Sequence, residues 1–330
     1  MDVLIPAAFF IASAAAAAIG TGMVRRIVSV LDMPNERSSH DAPTPQSGGL
    51  AVVPVILAAW LITPFWTETA LDQTMIWPIA GAAVLAILSW IDDMRGLAPA
   101  LRLVVHLAVA ALVVVFALPS GLVFQGLLPE WLDRLAALIL WVYFTNAFNF
   151  MDGIDGISGI EALGIGLGIA FVSVISGSGG GIAVQAAAIA GAGAGFLWWN
   201  WHPARIFLGD VGSVPLGFVA GWLLLILAIN GEWAAAIILP MYYLADSGIT
   251  LARRTLRREK IWQAHREHFY QLAIIQGRSH AEVSRIIGFC NLGLIAFALV
   301  SLISPWVGIV LGAFVTFFTL LALKRRSTSQ

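Results

Sequence analysis

Apolar runs broken by short polar stretches dominate the 330-residue chain. A helix that crosses the hydrocarbon needs about 20 apolar residues. Such runs fall near 3–23, 49–65, 75–91, 103–119, 134–150, 158–177, 181–200, 214–230, 234–252, 286–303 and 305–323, which predicts eleven spans. The glycines and serines of 176–181 separate the sixth run from the seventh, and Pro305 separates the last two. The first run has no basic leader and is too long for a cleaved signal, so it is expected to stay as a span.

Composition supports this pattern. Hydrophobic residues make up 59% and charged residues only 11%, and the mean hydropathy is +0.88; a soluble domain carries about 25% charged residues. The lone Cys290 excludes an internal disulfide framework and reads as a small buried hydrophobe. The net charge of -1 decides little, but the placement of charge decides orientation. With the N-terminus outside, seventeen of the eighteen Lys and Arg fall on inner segments, leaving only Arg134 outside. Glu68, Asp72, Glu130, Asp133 and Glu232 fall on the outer side. The expected fold is an all-α polytopic integral membrane protein of about eleven helices, N-terminus outside and C-terminus cytoplasmic. Residues 1–330 read as one domain.

The polar chemistry gathers in five stretches at inner membrane edges. The first, 32–49, is a proline-stiffened loop ending in Gly48-Gly49, which could admit a close backbone approach. The second, 90–103, holds Asp92-Asp93, adjacent carboxylates that repel unless a cation compensates them. Such a pair suits a hard divalent cation or phosphate handling.

The third stretch, 144–159, places Asn146, Asn149, Asp152 and Asp155 three residues apart. On one continuous helix they would spiral apart, by about 60° per step. Glycine in a helix interior costs about 1 kcal/mol, so Gly153 and Gly156 argue for a break. The helix is expected to end near Met151, turn through Gly153 and restart near Ser158, bringing Asn149, Asp152 and Asp155 to one pocket.

In the fourth stretch, 200–213, Asp210 sits between two glycines before a span, with Asn200, His202 and Arg205 close enough in sequence to hold phosphate. The fifth, 264–271, offers His265, Arg266 and His268, a cationic set suited to a diphosphate. Asp246 is the one acid placed well inside a span, and pairing with a neighbouring helix is its simplest reading.

Taken in order, RSSHDAPTPQSGG, DDMRGLAP, NAFNFMDGIDGISG, PARIFLGDVGS and HREHFYQ resemble the polyprenyl-phosphate N-acetylhexosamine-1-phosphate transferases along the whole chain. The resemblance implies a bacterial inner-membrane, multi-pass enzyme. Undecaprenyl phosphate attacks the sugar-bearing phosphorus of a UDP-N-acetylhexosamine, UMP leaves, and a lipid-diphospho-sugar remains. It implies Mg2+ as cofactor, with Mn2+ the alternative, and no nucleic-acid partner. Membrane lipids surround the protein, and a homodimer is compatible with it.

By the same resemblance Asp210 is the first metal ligand, with Asp93 and Asp152. Asp92, Asp93, Asp210 and His265 are the catalytic candidates. Asn149, Asp152, Asp155, Arg266, His268, His40, Thr44, Asn200 and Arg205 are the substrate-binding candidates. The murein-precursor branch carries three consecutive histidines in the last loop and a lysine soon after the aspartate pair. Here the residues are His265-Arg266-Glu267-His268 and Met94-Arg95-Gly96-Leu97, which points to the branch that starts O-antigen or related surface polysaccharides. A phospho-N-acetylmuramoyl-pentapeptide transferase is the alternative within the family. An ion-coupled transporter is the alternative outside it; midplane sites on inverted repeats would mark that class, whereas these acids lie at one edge and no repeat is evident.

Overall fold

The computed structural model describes residues 3–28, 31–32, 44–260, 263 and 265–324; the His40 candidate lies outside them. Helices α1 (Leu4–Ile27), α2 (Gly49–Ile62), α3 (Gln73–Arg95), α4 (Pro99–Ala117) and α5 (Glu130–Phe150) form the first half. Then come α6 (Ile157–Ser176), α7 (Gly180–Asn200), α8 (Asp210–Leu227), α9 (Trp233–Ile238), α10 (Met241–Leu256), α11 (Phe269–Ile275), α12 (His280–Ser301) and α13 (Pro305–Lys324). Two-residue strands β1 (Leu31–Asp32) and β2 (Thr44–Pro45) pair antiparallel, Leu31 with Pro45 and Asp32 with Thr44.

Eight helical segments among the described residues are long and apolar enough to cross a membrane, so the protein is an all-α polytopic membrane protein. One of them, Asp210–Ile238, is broken at Gly231, whose φ of 102° lies in the left-handed region. The other predicted spans fall on α2, which is shorter, and on α5 and α10, which carry more polar residues. Local chemistry sets several ends. Asp72 accepts a hydrogen bond from the Thr74 backbone at 2.9 Å, and Ser279 and Glu282 form a reciprocal capping box ahead of α12.

Lipid cannot drive one apolar helix against another by hydrophobicity, so close fit between small residues does it. A Cβ on Gly191 would lie 2.2 Å from the Phe10 carbonyl oxygen, and one on Gly195 would lie 2.2 Å from that of Ala14. Any side chain at either position would push α1 off α7. At the centre α8 is buried on nearly every face, and Trp141 of α5 stacks on its Phe218 at 4.4 Å. Large apolar side chains such as Ile11, Val104, Val115, Phe289 and Phe317 cover the outside. Cys290 is buried and free. Asp246 is not the only acid placed deep: Glu161 of α6 is also fully buried, where Asn291 of α12 donates to it at 2.9 Å.

Candidate active site

The polar ends of distant helices meet at one edge of the bundle. Gly96 terminates α3 in the left-handed conformation (φ 67°), and Pro99 opens α4 in its first turn. That tight corner folds Asp92 back on itself: one oxygen accepts the Leu97 N–H at 2.6 Å, the other accepts from the Arg102 guanidinium at 2.6 Å. The same guanidinium nitrogen reaches Asp210 at 3.1 Å. With a donor on each oxygen, Asp92 is an anchor for Arg102. Arg102 was not among the predicted site residues.

Asp93, one residue on, faces the start of α8, where it accepts the Val211 N–H at 3.4 Å. The positive end of a helix favours a carboxylate there. Gly209, with φ 72°, precedes Asp210, so Asp210 opens α8 instead of capping it through its side chain. The Asn149 amide donates to Asp210 at 2.8 Å and to the Ser213 hydroxyl at 2.9 Å. Asn146, three residues earlier, turns away; its side-chain oxygen faces His106 of α4 at 3.2 Å.

The N-terminus of α8 is delivered by the proline loop. The Gly48 N–H donates to Phe207 O at 2.8 Å and the Gly49 N–H to Leu208 O at 2.9 Å. A Cβ on Gly49 would lie 2.2 Å from the Gly212 Cα. The glycines admit another stretch of this chain's backbone. Thr44 is buried in β2 beside it.

The helix break of the third stretch falls as predicted, between Phe150 and Ile157, but the left-handed turn is Gly156 (φ 84°), not Gly153. Gly153 serves close approach: a Cβ there would sit 2.2 Å from the Tyr270 hydroxyl oxygen, which donates to Phe150 O at 3.1 Å. Asp152 is half-buried in the break. Burial, with the neighbouring Asp210 carboxylate adding to it, pushes the Asp152 carboxyl up to about 7.

The expected convergence of Asn149, Asp152 and Asp155 needs correcting. Asp155 turns the other way, to His202 at 2.6 Å, the Ala204 N–H at 3.1 Å and His280 at 3.1 Å. Burial alone would raise its carboxyl, but the bonds from His280 and His202 win and hold it below the usual carboxylate range. Asn200 is also taken up: its oxygen accepts the Gly156 N–H at 2.8 Å and its amide donates to Ile206 O at 2.9 Å. Both substituents tie backbone, so Asn200 shapes the turn and does not grip phosphate. Arg205 is exposed and lies over the Trp199 ring at 5.8 Å.

The fifth stretch docks through Asp246. The Phe269 N–H and the His268 ring reach one carboxylate oxygen at 3.0 and 3.1 Å; the Tyr270 N–H and the Tyr242 hydroxyl reach the other at 3.3 and 3.2 Å. Asp246 therefore pairs with the loop and α11 as well as with its own helix. His268 is buried in this contact. The His265 ring lies tilted beside it, ring centres 4.9 Å apart, and burial, His268 and Arg254 lower its pKa to about 4. It is neutral at pH 7. Arg254 and Arg257 both hold Glu267, between the two histidines in sequence. Arg266 lies close enough for its charge to act on the Tyr270 hydroxyl.

Carboxylate oxygens gather at one polar edge of an apolar helix bundle, with arginine and histidine beside them. The family model described as glycosyl transferase family 4 matches residues 75–228, which carry Asp92, Asp93, Arg102, Asn149, Asp152 and Asp210. A Bacillus subtilis (strain 168) protein named "Probable undecaprenyl-phosphate N-acetylglucosaminyl 1-phosphate transferase" is 28% identical over 82% of this chain and 78% of its own length. The decaprenyl-phosphate N-acetylglucosaminephosphotransferase of Mycobacterium tuberculosis (strain ATCC 25618 / H37Rv) is 28% identical over 93% of this chain and 86% of its own. A phospho-N-acetylmuramoyl-pentapeptide-transferase of Synechococcus elongatus is 30% identical over 68% of each chain. The chain belongs to glycosyl transferase family 4, among the polyprenyl-phosphate hexosamine-1-phosphate transferases.

Proposed function

We propose that this chain transfers N-acetylhexosamine-1-phosphate from its UDP derivative to undecaprenyl phosphate, releasing UMP, as the first membrane step of O-antigen or related surface-polysaccharide synthesis. The observation that carries this reading is the meeting of Asp93, Asn149 and Asp210 at the start of α8, with Arg102 bridging Asp92 to Asp210. Family membership supports the reaction class. The arginine-rich edge supports a cytoplasmic face of a bacterial inner membrane and an eleven-pass, N-outside arrangement of one domain.

The residues fit a divalent cation. Asp93, Asp152 and Asp210 offer oxygen donors only, as Mg2+ or Mn2+ requires. Burial is the main cause of the raised Asp152 carboxyl, and the Asp210 carboxylate adds to it. Among the described residues, the ligand atoms of Asp93, Asp152 and Asp210 do not all lie within 4.8 Å of one another. When bound, Mg2+ supplies neutralisation of the diphosphate oxygens and polarisation of the attacked phosphorus.

The chain's own side chains do the positioning. Asn149 orients Asp210, and Asp92 holds Arg102 toward the same carboxylate. The lipid phosphate needs no strong base, since a phosphate monoester with a second pKa of about 6 is largely ionised at pH 7. Its oxygen attacks, the P–O bond to UMP breaks, and the charge passes to the leaving phosphate. His265, neutral at pH 7, and Arg266 border the docked loop as candidates to orient the diphosphate.

Membranes carrying the protein, given undecaprenyl phosphate, Mg2+ and a panel of UDP-sugars, test the proposal. UMP release with a UDP-N-acetylhexosamine supports it. Release with UDP-MurNAc-pentapeptide alone would move the chain to the murein-precursor branch, and no release with any sugar would overturn the reading.

A further inference from the structure

Outside the acidic site, one cluster has the chemistry of a metal centre. Asp155 comes from the α5–α6 break, His202 from the α7–α8 loop and His280 from the first turn of α12. One ligand atom from each lies within 4.8 Å of the others. Asp155 and His280 are buried, and His202 keeps 39% of its side chain exposed. We infer that Asp155, His202 and His280 form a second cation site, for a borderline transition-metal ion of the Zn2+ type, separate from the acidic site at α8.

Donor type separates the two sites. Two imidazoles and a carboxylate suit Zn2+ and its neighbours, with bonds of about 2.0–2.2 Å, whereas Mg2+ prefers oxygen alone. Three protein ligands with one side open to solvent is the usual arrangement when a fourth position is left for water. The His280 Nδ1 lies 3.1 Å from one Asp155 carboxylate oxygen and the His202 Nδ1 lies 2.6 Å from the other, so both imidazoles face the carboxylate that an ion would share.

The ion would tie three segments that the sequence keeps far apart. Ser284 of α12 already donates to the Asp155 carbonyl at 2.7 Å, and Asp155 lies three residues beyond Asp152. The site would thus brace the break that carries an acidic-site residue.

Full-length protein in detergent, stripped with chelator and titrated with Co2+, tests this. Expected is one Co2+ per chain that excess Mg2+ does not displace and Zn2+ does, with visible absorption and a rise in melting temperature on binding. Losing a hydrogen-bond partner of a ligating side chain alone costs about 10–100-fold in metal affinity, so loss of a direct ligand in His202→Ala should weaken binding at least about 100-fold. His280→Gln should act likewise, while Asp210→Asn should leave the Co2+ signal intact. His202 is partly exposed, so His202→Ala keeps the test open if the buried variant fails to fold. Equal Co2+ affinity in wild type and His202→Ala, or no Co2+ binding by folded wild type, would overturn the site. Either result leaves the UMP-release assay unaffected.

Discussion

Asp246→Asn isolates the contact that docks the last loop. The wild-type carboxylate is fully buried and receives five donors: the Phe269 and Tyr270 N–H groups, the His268 ring and the Tyr242 and Thr250 hydroxyls. The substitution preserves shape but replaces one acceptor oxygen by an NH2. Whichever way the amide settles, one backbone N–H then faces a donor. Hydrogen bonds to a charged group contribute about 1.5–3 kcal/mol each. The Tyr242 hydroxyl can rotate to accept, so the loss is about one such bond, or roughly 1.5–3 kcal/mol. At about 1.4 kcal/mol per tenfold, that shifts the docked loop's population by roughly 10- to 140-fold. Tyr270 would leave Phe150, and the break beside Asp152 would lose its cover. The assay is UMP release alongside thermal inactivation and far-ultraviolet circular dichroism. Expected are unchanged helix content, earlier inactivation and a rate reduced by tenfold or more. If Asp246→Asn keeps the wild-type rate and inactivation temperature, the loop is held by something else and the docking argument is wrong.

Asp210→Asn and Asp93→Asn should each cut UMP release by at least about 100-fold, the scale on which removing a preorganised charge in a site acts. Arg102→Met should cut it too, with raised demand for Mg2+, because Asp92 and Asp210 lose their shared cation; an unchanged Mg2+ titration would refute this. Gly153→Ala forces Tyr270 aside and should cost about 1–3 kcal/mol of stability, as overpacking does, read as a lower melting temperature. Asp152 should give a pH signature. Its folded value of about 7 lies above the ordinary 3.8, so its stabilising contribution is complete below 3.8 and is lost as pH rises through 7. Asp93 is raised to about 7 as well, so chelator-treated wild type should melt progressively lower from pH 5 to 8, Mg2+ should reverse the loss, and Asp152→Asn should show both effects reduced.

Much of the site was legible residue by residue. The Asp92-Asp93 pair, the glycine-flanked Asp210 and the interrupted helix at 150–157 announce themselves because polar groups inside an oily chain are costly and need a reason. What could not be read was which of them face each other. Asp155 and Asp152 are three residues apart and look alike in sequence, yet the left-handed Gly156 lies next to Asp155 and sends it to His202 and His280. Asn200 looked like a phosphate ligand, but backbone on either side claims its amide. His280 has no local motif at all, and Arg102 resembles any basic residue at a membrane edge. The nearest available signal for Arg102 was its position one turn into the helix after Pro99, directly following the aspartate pair.

By itself the sequence determined that this chain lives in a membrane as a helical bundle and that its polar chemistry lies between spans. Those properties add up locally, residue by residue, from transfer into hydrocarbon and from the need to keep backbone polar groups bonded. Only the tertiary structure decided that Arg102 joins Asp92 to Asp210, that Asp246 grips the His268 loop, and that Asp155 stands with two histidines. Such contacts link positions as much as 108 and 125 residues apart, and no local propensity encodes which distant helix end will arrive beside another.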